Sequence, residues 1–230
     1  MNEYNNEIIK EIEEYVKKDL DKNDSSHDWQ HVFRVKNLST TISKNELQNG
    51  KSINEFIVIA IALLHDSIDS KYCKNDNEKL KEIHDFLLSK KVKEEDVEII
   101  LNGINNISYR KEIGKSEKER ETSMEIAIVQ DADKLDAMGA IGISRCFAYS
   151  GAKSRPLYDP DIPPKINITQ KEYIAQSKAN EGTAINHFYE KLFNLKNMMK
   201  TEYGKKMAIE RDKYMRDFVD RFIKEYNGLI

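Results

Sequence analysis

I-V-I-A-I-A-L-L-H-D, residues 57–66, is the stretch from which the fold can be read. Eight apolar residues in succession leave almost nothing to face water, so the segment reads as a buried helix, predicted over 53–65. A helix of that kind needs other helices around it, and the rest of the chain supplies them. Ile8, Ile9, Ile12, Tyr15 and Val16 form one apolar stripe at helical spacing; Val32, Val35, Leu38 and Ile42 form another. Further helices are predicted over 77–90, 94–106, 118–131, 134–150, 170–180, 183–199 and 203–226. No segment alternates with period two. The expected fold class is therefore all-α, a helical bundle of about nine to eleven helices with little or no sheet.

All four prolines fall in 151–168, G-A-K-S-R-P-L-Y-D-P-D-I-P-P-K-I-N-I, which cannot continue as helix. A loop of that length reads either as a lid over a site or as a surface crossover that only joins two helices.

Composition bounds the class of protein. A chain of 230 residues is long enough for one well-buried core without a disulfide or a structural metal. With 33% charged residues, 39% apolar ones and a net charge of −3, there is no bulk electrostatic case for nucleic acid or membrane as partner, although a local basic pocket stays open. The opening M-N-E-Y-N-N-E-I-I-K-E-I-E-E-Y-V has acids throughout and no apolar core of a signal peptide. No apolar run reaches the roughly 20 residues that span a bilayer. Cys73 and Cys146 lack CxxC spacing and read as reduced structural thiols, so a cytoplasmic location is expected. Monomer and homodimer are both compatible with this composition.

The chemistry lies in three polar interruptions. His65 and Asp66 end the apolar run, and burying an imidazole beside a carboxylate is costly unless each is paired or coordinated. Asp131, Asp133 and Asp136 emerge from a second apolar lead-in, Ile126–Val129, and Lys134 gives them only partial relief from mutual repulsion. His27 and His31 stand one turn apart after Ser25 and Ser26, with Ser25 read as the helix cap and Asp28 as its partner. His31, followed by Val32, Phe33 and Val35, is the better anchored of the two; His27 takes an outer role. Two imidazoles and two carboxylates are a sufficient ligand set for one divalent transition metal with positions left for water and substrate.

H-D-W-Q-H-V-F-R-V (27–35), L-L-H-D-S-I-D-S-K (63–71) and D-A-D-K-L-D-A-M-G-A-I-G-I-S-R (131–145), in this order, resemble the HD superfamily of metal-dependent phosphohydrolases and its YpgQ/YedJ-like subgroup. I-N-H-F-Y-E-K-L (185–192) resembles that subgroup as well. The resemblance implies a single HD phosphohydrolase domain over 1–230, with its metal core in roughly 25–150, the proline-rich loop at 151–168 and C-terminal helices in 169–230. It implies His31, His65, Asp66 and Asp133 as metal ligands and Asp69 as the acid that positions or activates the attacking water. Dinuclear relatives need further histidines between the HD pair and the last aspartate. His84, which reads as a surface residue, is the only one in that interval, so one metal is expected. Mn²⁺ is favoured, with Fe²⁺, Co²⁺, Ni²⁺, Zn²⁺ or Mg²⁺ as alternatives.

The implied substrate is a nucleotide. The leading reaction is hydrolysis of a (deoxy)nucleoside triphosphate to monophosphate and pyrophosphate. Alternatives are another phosphoester (a nucleoside monophosphate, an alarmone or a cyclic nucleotide) or binding without turnover. Phosphate needs cationic partners, and Arg34, Lys71, Arg145 and Arg155 are candidates. Asp136 is expected to orient a partner of the site, and His187 reads either as a satisfied core histidine or as a substrate contact.

Overall fold

The computed structural model describes residues 3–20, 28–68, 76–116, 118–166, 169, 171–172, 175 and 179–230, and among them there is no strand. The all-α expectation holds. Two compact units divide the chain: residues 1–108 with 122–133, and residues 109–121 with 134–230.

The first unit is built around the apolar helix. Helices α1 (Glu3–Leu20), α2 (Trp29–Gln48), α3 (Glu55–Leu64), α4 (Asp76–Ser89) and α5 (Glu94–Asn106) are joined by the first turns of α6 (Met124–Asp136). Every residue from Phe56 to Leu64 is buried, and α1, α2 and α5 all pack on α3. Asn54 starts α3 by accepting from the amides of Phe56 (3.2 Å) and Ile57 (3.4 Å). Gln130 Nε2 donates to the Asn106 carbonyl at 2.7 Å, fastening α6 to the end of α5. At the start of α2, the Lys17 ammonium lies 4.5 Å from the centre of the Trp29 ring, and Phe33 follows one turn on.

The second unit contains the last turn of α6, α7 (Gly139–Ala152), α8 (Ala184–Glu190), a 3-10 helix (Leu192–Met198) and α9 (Glu202–Tyr226). Phe147, Phe188, Phe218 and Phe222 form its aromatic core, with ring centres 5.8–6.3 Å apart. The proline-rich segment is laid along α8. The amides of Ala184 and Ile185 donate to the carbonyls of Pro156 (2.9 Å) and Leu157 (3.0 Å), and Asn186 Nδ2 donates to the Ile162 carbonyl (2.9 Å).

Three predicted boundaries are corrected. The α2 helix begins at Trp29 with Asp28 as its cap, because the Asp28 carboxylate accepts from the His31 amide at 3.0 Å; Ser25 lies outside the described residues. The helices predicted over 118–131 and 134–150 part later, after Asp136. The turn there needs Gly139 at φ +68° and Gly142, whose added Cβ would lie 2.2 Å from the Ala137 carbonyl oxygen. The helix predicted over 183–199 breaks at Lys191 (φ −135°, ψ −58°) into α8 and the 3-10 helix.

Candidate metal centre

Three helix ends in the first unit bring polar side chains to one point. His31 is the third residue of α2, placed by the Asp28 cap and 2% exposed. His65 closes α3 in right-handed helical geometry, so Asp66 follows it directly off the helix end. Asp133 comes from α6, after Ile126–Val129 and Ala132 have buried the preceding turns.

The donor atoms crowd together. His31 Nε2 lies 3.2 Å from His65 Nε2, 3.4 Å from Asp66 Oδ2 and 3.5 Å from Asp133 Oδ1. His65 Nε2 lies 3.5 Å from Asp66 Oδ1 and 3.9 Å from Asp133 Oδ1. Metal–ligand bonds of about 2.0–2.2 Å place neighbouring donors roughly 3.0–3.5 Å apart, so these separations fit edges of one coordination shell. The His65 tautomer fits as well. Its Nδ1 is 2.8 Å from the Ala62 carbonyl, which can only accept, so Nδ1 carries the proton and Nε2 turns its lone pair toward the cluster. The chemistry of the set, two imidazoles and two carboxylates, suits a borderline divalent cation.

The other candidates divide by place. His27, Asp69 and Lys71 lie outside the described residues. Arg34 is half-buried on α2, three residues beyond His31. His84 is partly exposed and pairs with Asp85 at 3.0 Å. Asp136, Arg145, Arg155 and His187 belong to the second unit. There Arg145 donates to Asp136 at 2.6 Å, so two residues singled out separately satisfy one another. Arg155 Nε donates to Asn180 Oδ1 at 2.7 Å, and its guanidinium lies 5.5 Å from the centre of the Tyr149 ring. Burial, reinforced by the charges of Lys191 and Arg155, pushes the His187 imidazole down to about 3.

A solvated acidic turn at 131–136 is excluded, since Asp131 is 0% and Asp136 1% exposed. Lys134 turns to Glu112 at 2.5 Å, and Lys200 reaches the same carboxylate at 2.8 Å. Neither Glu112 nor Lys200 carries a local sequence signal, because each meets its partner only through folding.

A His₂Asp₂ cluster with buried imidazoles and partly exposed carboxylates, gathered from three helices of an all-α chain, defines a class, and comparison with known proteins supplies the family. The HD domain family matches residues 28–138, from the α2 cap to just past Asp133. Over 219 residues the chain is 35% identical to the YpgQ protein of Bacillus subtilis (strain 168), covering 95% of this chain and 94% of that one. The chain belongs to the HD domain family. A solved HD-superfamily hydrolase from Bacillus thuringiensis superposes with TM-score 0.74 and 37% identity, covering 97% of this chain and 98% of its own. Bacillus subtilis YpgQ in complex with ADP superposes with TM-score 0.73 and 29% identity, covering 96% of each chain.

Proposed function

We propose that this protein is a metal-dependent nucleotide phosphohydrolase that cleaves (deoxy)nucleoside triphosphates to the monophosphate and pyrophosphate. The observation that carries the reading is the convergence of His31, His65, Asp66 and Asp133 Nε2 and Oδ atoms at 3.2–3.9 Å in a largely buried place. Family membership and the ADP complex of the YpgQ relative support a nucleotide as substrate.

In this reading the four side chains hold one divalent cation, Mn²⁺ favoured. A cation so held supplies Lewis acidity, offsetting charge on the phosphoryl group and making a nearby water more acidic. The chain's own residues do the rest. The Ala62 carbonyl fixes the His65 ring, and the α2 cap fixes His31. Asp69, three residues after Asp66, accepts the proton of the attacking water as the bond to the leaving pyrophosphate breaks. Arg34, Lys71, Arg145 and Arg155 are the cations proposed for the phosphates, with His27, Asp136 and His187 as outer or orienting residues. The whole chain, 1–230, acts as one catalytic domain in the cytoplasm. Among the described residues no helix is long and apolar enough to cross a membrane.

The test is product analysis on a nucleotide panel with manganese-loaded protein. Pyrophosphate and a monophosphate from triphosphates are expected. Inorganic phosphate from monophosphates, or cleavage confined to an alarmone or cyclic nucleotide, would move the assignment to another phosphoester. Binding without any product would make the protein a sensor.

A further inference from the structure

The α6 helix does not end freely. Its last turn, Lys134–Asp136, and the turn into α7 are gripped by side chains of the second unit, and Arg211 of α9 has the most direct hold. Arg211 Nη1 donates to the Leu135 carbonyl, which also accepts from the Met138 amide at 3.0 Å. The aliphatic stem of Arg211 lies across Gly139: a Cβ added there would meet Arg211 Cγ at 3.2 Å and Cβ at 3.4 Å. Gly139 is in the left-handed region at φ +68°, so both backbone freedom and the missing side chain are used to let the arginine pass. A cation bound to a carbonyl in the last turn of a helix also meets the negative end of its dipole. Asp136, 1% exposed and paired to Arg145 at 2.6 Å, adds negative charge to the surroundings of the guanidinium.

We infer that Arg211 is a positioning residue for Asp133: by capping the Leu135 carbonyl over Gly139, it fixes where α6 stops and hence the angle at which Asp133, two residues earlier on that helix, presents its carboxylate. The reach is covalent and short. Without Arg211 the Leu135 carbonyl keeps only the Met138 amide, and a last turn held by fewer bonds loosens the backbone dihedrals next to Asp133. A carboxylate ligand needs its orientation held within about 10–20°. The inference rests on the reading of Asp133 as a metal ligand.

Isothermal titration of metal-free protein with Mn²⁺, at a temperature where each variant is fully folded, tests it. The set is wild type, H65A, R211M, R211K and D212N. Methionine keeps the stem over Gly139 and removes the charge and donor; lysine keeps charge and one donor. Asp212, the next residue, is buried and pairs with Lys196 (2.8 Å) and Arg216 (2.9 Å), so D212N costs stability on the same helix without touching Leu135. The expected result is a loss of affinity of about 10-fold or more in R211M, with R211K within about 3-fold of wild type and D212N unchanged. Wild-type affinity in R211M overturns the inference alone, provided H65A abolishes binding. Affinity that falls equally in R211M and D212N, in step with their thermal midpoints, also overturns it, since Arg211 then acts only through stability. Undiminished binding in H65A overturns the metal centre itself and the inference with it.

Discussion

The two halves of α6 handle charge in opposite ways. In its last turn the charges are met by the chain's own: Asp136 by Arg145 at 2.6 Å, and Lys134 by Glu112 at 2.5 Å, a carboxylate from outside the helix that Lys200 also reaches at 2.8 Å. Asp133, one turn earlier and in the first unit, faces two imidazoles at 3.5 and 3.9 Å instead, in company with Asp66. Desolvation is costly for either set of acids, and the compensation differs: covalently tethered charge in one, a shape suited to an exchangeable cation in the other. Stability is to be sought in the first arrangement and chemistry in the second.

Four measurements press on that contrast. The largest effect is expected for Asp66→Ala, which removes a proposed ligand: metal content should drop to background and turnover fall by at least about 10³-fold. Next comes Asp69→Ala, expected to keep one metal per chain while turnover falls by about 10²–10⁴-fold. Equal metal loss in the two variants would make Asp69 a ligand and blur the division of roles. The tethered network gives a different signature. Lys134→Met leaves the 4%-exposed Glu112 half compensated and is expected to lower the free energy of unfolding by about 3–5 kcal/mol in denaturant titrations. That loss should be the same with and without chelator, whereas metal at 100 times its Kd should raise wild-type stability by about 2.7 kcal/mol and Asp66→Ala not at all.

The smallest effect, about 2 kcal/mol between pH 7 and pH 5, concerns pH. Burial holds the His187 imidazole of the folded state down to about 3, against 6.5 for an unburied histidine. Between those values the unfolded state binds more protons, so stability falls as pH falls through that window. His187→Gln should flatten this part of the thermal midpoint against pH, and an unchanged slope would assign the acid sensitivity to other groups.

Much of this could be read before folding. The apolar run 57–64 announced α3, and the polar residues that ended it were costly enough to demand a partner, which is why His65 and Asp66 stood out. Asp131 and Asp136 declared themselves in the same way. Boundaries set by single backbone positions were harder. Ser25 and Asp28 are both good caps, and only the carboxylate contact to the His31 amide separates them. The late end of α6 follows from Gly139 and Gly142, whose place in the 131–145 motif does not say where the helix stops. Long-range partners were out of reach altogether. Arg211 is one of many charges on an amphipathic helix, and its acceptor lies 76 positions away.

Trp29 is the single tryptophan of the chain, and it stands two residues from His31 as the first residue of α2. Its ring is stacked under the Lys17 ammonium at 4.5 Å, and its helix start is held by the same Asp28 cap that places His31. Intrinsic fluorescence excited at the indole band therefore comes from one spot in the molecule, the start of the helix that carries His31. Emission that changes when Mn²⁺ is added would show that occupancy of the proposed centre is felt at the start of α2, and a stopped-flow trace would then time metal entry without a label.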